Sequence, residues 1–417
     1  MQKKITALLL RGSSMGAKFL LMIGLSKVLS TSDYGVISLI VTTITFFVFL
    51  LGFDFYNYSH RELIENKTNQ QSFLLNQFWF HTIGYIVFIP IVYLIFLKEI
   101  IPFEYLFPFY ILLILEHLSQ EIFRFFNLFN KQNLANLTLF IRTAFWILIM
   151  VFVEYFLLKN EINIEKILYY WIGGSVLSLL FSAGFLIISR KKMLQNVVWF
   201  SIDKKWIKKG ISVSFPFFIG TVAYKIIEYS DRYMIDWYLG KESVGIYSFY
   251  TNFANIVNIV VNTITITLIV PNLLRAVNSN DPDQIKNMIS KFSKELYITV
   301  ILISILIAIM IYPTLHWLDK EDFSLQLPVY FVVLVGNIML NFSLLFHFLL
   351  YSYKKDKQIL KPALFAAILN VILNMIFIPI FGILAAAIST LISFGLILFL
   401  KRFYWHNFKK KTIEYKN

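Results

Sequence analysis

The chain contains no cysteine, and charged residues fill only 15% of its 417 positions. The first absence excludes structural disulfides, thiol nucleophiles and thiolate metal sites. The second is joined by a hydrophobic fraction of 58% and a mean hydropathy of +0.69. A soluble globule of this length could not hide so much apolar surface. Also missing are a Gly-x-x-x-x-Gly-Lys phosphate loop, a Gly-x-Gly-x-x-Gly unit, a His-Glu-x-x-His pair, and any polar stretch longer than about 20 residues that could house a loop-borne active site. An ATP-driven pump or a membrane enzyme with a large outer domain is therefore not expected. Met1–Lys4 precedes an apolar run that continues toward Leu29 without a small-residue cleavage site, so it reads as a retained first helix.

What the chain does have is a series of apolar stretches separated by short charged loops. About 20 apolar residues in a helix cross a ~30 Å hydrocarbon core. Twelve spans are expected, near 5–29, 35–57, 75–97, 104–127, 134–158, 166–188, 210–234, 244–270, 296–315, 326–351, 361–380 and 382–403. Continuous runs such as Val300–Tyr312 do not fit the alternating segments of a membrane barrel. The expected fold is an all-α polytopic membrane protein.

Net charge is +14, with 38 Lys and Arg against 24 Asp and Glu. A cytoplasmic N-terminus places 27 of the cations in cytoplasmic segments, seven outside and four within spans. That asymmetry follows the positive-inside rule, puts both termini in the cytoplasm, and explains the charge by topology and anionic lipid without a nucleic-acid partner.

The basic segment 190–209 lies mid-chain and divides it into a six-helix lobe (1–189), a linker (190–209), a second six-helix lobe (210–403) and a basic tail (404–417). Sliding the second half back by 210 positions sets Leu29–Ser38 against Leu239–Ser248, aligning Gly35 with Gly245 at what reads as a tight outer turn. An even number of helices per half gives parallel repeats, an arrangement of transporters that rock two lobes around a central cleft. In the linker, Trp199, Phe200, Ile202, Trp206 and Ile207 alternate with lysines, which predicts an interfacial segment on anionic lipid.

Ionisable groups at membrane depth cost about 2.5–3.5 kcal/mol each and need a partner, water or a task. Arg11, Ser14 and Lys18 form one stripe on the first helix; Lys225, Glu228 and Arg232, with Asp231 beside them, form one on the seventh. The repeat offset pairs Lys18 with Glu228, and both stripes are expected to face the cleft. An inert ion pair would explain Lys18 and Glu228 but leaves Arg11 and Lys225 for an anionic substrate. Arg142 either joins them or snorkels to the interface. Asn252, Asn255, Asn258 and Asn262 run along the eighth helix, either to bond sugar hydroxyls or to hold helices together as Asn337/Asn341 and Asn370/Asn374 would. His81, His117 and His347, far apart in sequence, read as packed polar residues or as a route for proton coupling. Pro216 and Pro271 read as kinks.

Three stretches carry a resemblance: Leu29-Ser-Thr-Ser-Asp-Tyr-Gly-Val; Tyr229-Ser-Asp-Arg-Tyr-Met-Ile-Asp-Trp-Tyr-Leu-Gly followed by Val244-Gly-Ile-Tyr-Ser; and the Asn370–Thr390 segment with its Ile-Pro-Ile-Phe-Gly. They resemble the polysaccharide-exporter branch of the multidrug/oligosaccharidyl-lipid/polysaccharide (MOP) superfamily, and the similarity to Wzx-type O-antigen and capsule repeat-unit flippases covers the whole chain. The resemblance implies twelve helices in two lobes, a bacterial inner-membrane location, and alternating-access transfer of an undecaprenyl-diphosphate-linked oligosaccharide to the periplasmic leaflet. It implies no cofactor beyond H⁺ or Na⁺ as coupling ion, and a polysaccharide polymerase and chain-length regulator as partners. Asp231, Arg232, Gly245, Ile246 and Tyr247 match the branch signature and read as largely structural. The alternatives are a MATE-like cation-coupled antiporter, which would want cavity carboxylates, and a membrane glycosyltransferase or ligase, which would want an outer loop longer than the roughly 15 residues present here.

Overall fold

The computed structural model describes residues 2–66, 69–158, 160–189, 202–279 and 281–414. In chain order the helices are α1 (Gln2–Val28), α2 (Thr31–Gly52), α3 (Tyr56–Glu65), α4 (Gln70–Leu97), α5 (Leu106–Leu128), α6 (Gln132–Phe140), α7 (Trp146–Met150) and α8 (Ile164–Ser189). They continue as α9 (Lys204–Ala254), α10 (Ile256–Val260), α11 (Thr267–Asn278), α12 (Pro282–Leu318), α13 (Glu321–Leu325), α14 (Leu327–Ser352), α15 (Asp356–Phe381) and α16 (Ile383–Glu414). No strand occurs among the described residues.

Among the described residues, ten helical stretches are long and apolar enough to cross a membrane. One, Lys204–Asn278, is 75 residues long and breaks at Gly240, whose φ of 82° lies outside the helical region, so it supplies two of the twelve expected passages. The twelfth is α1, 27 residues and therefore about 40 Å long. It is not among the ten stretches. The fold is that of a multi-pass, all-α membrane protein.

Several details depart from the sequence reading. Phe53 and Asp54 adopt positive φ and turn the chain into α3, an amphipathic helix that hydropathy alone did not separate. Residues Ile141–Phe145 and Val151–Leu158 widen the α6–α7 run into π-helix, as Val261–Ile266 does between α10 and α11. Helix α16 continues beyond residue 403, and Trp405 and Phe408 pack against Tyr353. The segment 190–209 is described only from Ile202 onward, so Trp199 and Phe200 lie outside the described residues. Trp206 does not face lipid: it is buried among Phe55, Tyr58 and Phe73, stacked on the last at 5.3 Å.

The chain forms two compact units, one of residues 1–24 and 36–222, the other of 25–35 and 223–417. Their division falls inside α9. The reason residues 25–35 belong with the second unit is local. Lys27 donates to the Leu318 carbonyl at 2.9 Å and Lys320 to the Leu29 carbonyl at 2.5 Å, so each helix end is capped by a cation from the other. Beside them the aligned glycines meet. A Cβ on Gly35 would strike the carbonyl oxygen of Lys241, and a Cβ on Gly245 that of Thr31. Thr31 and Lys241, like Gly35 and Gly245, are 210 positions apart, so the internal repeat is also a local symmetry. These glycines serve close helix approach within α2 and α9; the turn glycine is Gly240.

Candidate functional site

In the first unit, α1 carries Arg11, Ser14 and Lys18 on one face and contains no acidic residue. Ser14 is buried and donates to its own helix at Leu10. Arg11 is half-buried, with its Nε enclosed and lacking a hydrogen bond; Lys18 is exposed. An enclosed guanidinium nitrogen without an acceptor is costly in a dry environment and is tolerated where an anion or water can reach it.

Arg142 does not snorkel. The π-helical segment that holds it turns it toward α5, where its Nε lies 3.7 Å from the Glu116 carboxylate. The other carboxylate oxygen of Glu116 accepts from Trp171 Nε1 and Ser175 Oγ on α8, both at 2.9 Å. Arg142 thus belongs to an internal network.

In the second unit, Lys225 donates to Glu228 at 2.7 Å and lies 4.8 Å from the centre of the Tyr229 ring. Glu228 therefore has a partner one turn away on its own helix. Asp231 and Arg232 are buried and join the two parts of α9 across Gly240. Tyr247 Oη donates to the Asp231 carboxylate, while Arg232 donates to Ser248 Oγ at 3.2 Å, Thr251 Oγ1 at 2.7 Å and the Glu228 carbonyl at 2.7 Å. The Asp-Arg and Gly-Ile-Tyr elements are thus two sides of one buried clasp.

The asparagines of the eighth passage separate. Asn258 donates to Asn255 at 2.6 Å and Asn337 at 2.7 Å and accepts from Asn341, tying this helix to α14. Asn262 is exposed and donates to the carbonyl of Asn258; Asn252 reaches Tyr34 Oη at 3.3 Å. Asn370 and Asn374 bond each other at 3.2 Å, and Asn370 also bonds Thr390.

Sequence reasoning passed over several buried groups. Glu116, Glu121 and Glu154 each hold a cation, respectively Arg142, Arg124 and Lys166. Lys401, fully buried, donates to Tyr224 Oη at 2.6 Å and faces His347 Nδ1 at 3.2 Å. His81 and His117, 36 positions apart, pack ring against ring at 4.7 Å. The available signal was the i, i+4 spacing of Gln77, His81 and Tyr85 on α4 and of His117 and Glu121 on α5.

A family model described as "Polysaccharide biosynthesis protein" matches residues 1–277. No curated protein matches the chain by sequence. Among solved structures, a multidrug resistance MATE family transporter of the MOP superfamily in an inward-facing conformation superposes with a TM-score of 0.73 at 12% identity, covering 97% of this chain and 99% of its own. The lipid II flippase MurJ in an inward closed conformation gives 0.71 at 16% identity over 97% and 87%. A MOP superfamily transporter from Pyrococcus furiosus gives 0.60 at 12% identity over 97% and 94%. At these identities the likeness is one of fold, and the fold is that of MOP superfamily transporters.

Proposed function

This chain belongs to the polysaccharide biosynthesis protein family, and we propose that it is a flippase that carries undecaprenyl-diphosphate-linked oligosaccharide repeat units, of O-antigen or capsule type, from the cytoplasmic to the periplasmic leaflet of a bacterial inner membrane. The observation that carries the reading is the first helix, which holds Arg11, Ser14 and Lys18 on one face, has no acid, and leaves an enclosed Arg11 nitrogen without an acceptor. A diphosphate brings about two negative charges and several acceptor oxygens, which charge-assisted bonds from Arg and Lys complement. Its sugars are too polar to cross lipid, so transfer requires a hydrated route that opens to one leaflet and then the other. In the second unit Lys225 carries a further positive charge, shared with Glu228. Both termini are cytoplasmic in this reading, anionic lipid contacts the basic segments, and H⁺ or Na⁺ drives the cycle. A polymerase and chain-length regulator act on the product.

A cation-coupled drug antiporter of the same fold would use carboxylates open to cations. Here Glu116, Glu121, Glu154, Asp231 and Asp236 each already face a basic side chain within 4 Å. The test replaces Arg11, Lys18 and Lys225 with Gln in cells lacking their own flippase. Variants that insert normally are expected to lose surface polysaccharide and accumulate lipid-linked repeat units on the cytoplasmic side, whereas Lys-for-Arg and Arg-for-Lys exchanges are milder. Full complementation by the triple Gln variant refutes the reading.

A further inference from the structure

We propose that His81, His117 and Glu121 form a binding site for a divalent transition-metal ion of the zinc class, built wholly within the first unit and independent of the flippase reading. One ring nitrogen from each histidine and one carboxylate oxygen of Glu121 lie within 4.8 Å of one another. Both histidines are buried, and Glu121 is nearly so.

The outward atoms of all three groups are already held. His81 Nδ1 bonds the Leu51 carbonyl at 3.2 Å. A carbonyl only accepts, so Nδ1 carries the proton and Nε2 of neutral His81 presents a lone pair. That lone pair faces Glu121 Oε2, a second acceptor, at 3.6 Å. His117 Nδ1 lies 2.7 Å from Tyr85 Oη; with the proton on Nδ1 and donated to that hydroxyl, Nε2, buried and without a hydrogen-bond partner, presents its lone pair. Glu121 Oε1 takes Arg124 at 2.5 Å. Metal-binding histidines and carboxylates are oriented in this way, the second atom of each fixed by a carbonyl, hydroxyl or charged donor while the first is left for the ion.

Ligand chemistry selects the ion. Two imidazoles and a carboxylate suit Zn²⁺ and its neighbours, whereas Mg²⁺ and Ca²⁺ prefer all-oxygen shells. Bonds of about 2.0–2.1 Å set tetrahedral ligand atoms ~3.3 Å apart, so the three ligand atoms draw together from the observed spacing on binding. Gln77 supplies a fourth donor. Its amide nitrogen donates to Glu121 Oε2 at 2.9 Å and lies 3.5 Å from His81 Nε2, so it stands between two of the ligand atoms, and turning it over presents its oxygen to an ion there. Arg124 also lies 4.2 Å over the Tyr56 ring while it pairs with Glu121, so it keeps that partner when the ion draws Glu121 away. The bound ion would tie α4 to α5.

The experiment uses the full chain in nanodiscs, stripped with chelator and titrated with Co²⁺ as probe. The expected result is saturable binding of one ion per chain with the intense ligand-field absorption of four- or five-coordinate cobalt, displaced by Zn²⁺. X-ray absorption of the zinc form should count two imidazoles. His81→Asn and His117→Gln should each weaken binding at least about 100-fold, and Tyr85→Phe about 10-fold. Weak octahedral cobalt absorption, no saturation, fewer than two imidazoles, or unchanged affinity in the His81→Asn/His117→Gln double variant overturns the site. If those variants fail to insert, the wild-type spectrum and imidazole count decide it alone.

Discussion

The two units bury polar groups in different ways. In the first, carboxylates sit at the centre of cross-helix networks: Glu116 on α5 gathers Arg142, Trp171 and Ser175, and Glu121 gathers Gln77 and Arg124 with His81 beside it. In the second, neutral amides connect the helices, with Asn258 bridging to Asn337 and Asn341 on α14, and Asn370 to Asn374 and Thr390. A buried charge pair in it, Asp231 with Arg232, clasps α9 to itself, as Asp236 with Lys241 does nearby. A charged network loses much when one member goes, because the remaining charge cannot be hydrated in place; an amide bridge loses little. The first unit should therefore tolerate polar mutation poorly and the second fairly well.

The largest expected effect is at Glu116. Glu116→Leu leaves Arg142 buried without its acid and should cost about 3–5 kcal/mol, read by SDS-induced unfolding of the purified protein in mixed micelles. The double change Glu116→Leu with Arg142→Met removes both charges and should recover most of that loss. A double variant no more stable than the single would show that the network acts through packing, and the contrast between the units would weaken.

How much of this was legible in the sequence follows the same division. Spans were readable because hydrocarbon thickness demands long apolar runs, and the 210-residue repeat found Gly35 and Gly245. That these two positions approach each other, rather than each making a turn, depends on tertiary packing that no local pattern encodes. The stripes on α1 and α9 stood out because several charges recur at helical spacing. Glu116 and Glu121 did not, since partners of each lie on other helices, up to 59 positions away. Arg142 was ambiguous for the same reason. Helix α3 was missed because ten amphipathic residues at a membrane edge look like a loop to a hydropathy window.

The next effect separates backbone packing from polar bonding inside the second unit. Gly245→Ala drives a methyl group against the Thr31 carbonyl, and Gly35→Ala drives one against that of Lys241. Backbone has little room to yield, so each change should cost about 1–3 kcal/mol in the same unfolding assay, and the symmetry of the contact predicts similar values. A cost at one position and none at the other would break the local twofold relation.

Asn258→Leu tests the amide bridge directly. It removes the bonds to Asn337 and Asn341, yet interhelical hydrogen bonds in membranes average only about 0.6 kcal/mol, so the loss should stay below about 1.7 kcal/mol. Transport should fall little. A loss of transport with unfolding stability unchanged would move Asn258 from helix packing to substrate contact.

The smallest effect lies outside the membrane, at Lys320. Burial, and then the positive charge of Lys27, hold its ammonium pKa below the usual 10.5. Between that lowered value and 10.5 the unfolded chain binds more protons at this site than the folded chain, so folded stability contributed here rises with pH across that window. The group is partly solvated and the change should be a few tenths of a kcal/mol. Lys320→Gln removes the titration, so the stability of the native protein relative to this variant should increase as pH is raised toward 10.5. The neutral amine can still donate to the Leu29 carbonyl, so the cap survives the loss of charge. A stability difference that falls over the same pH range would mean that the ammonium charge at the α1 terminus outweighs its burial and its repulsion from Lys27.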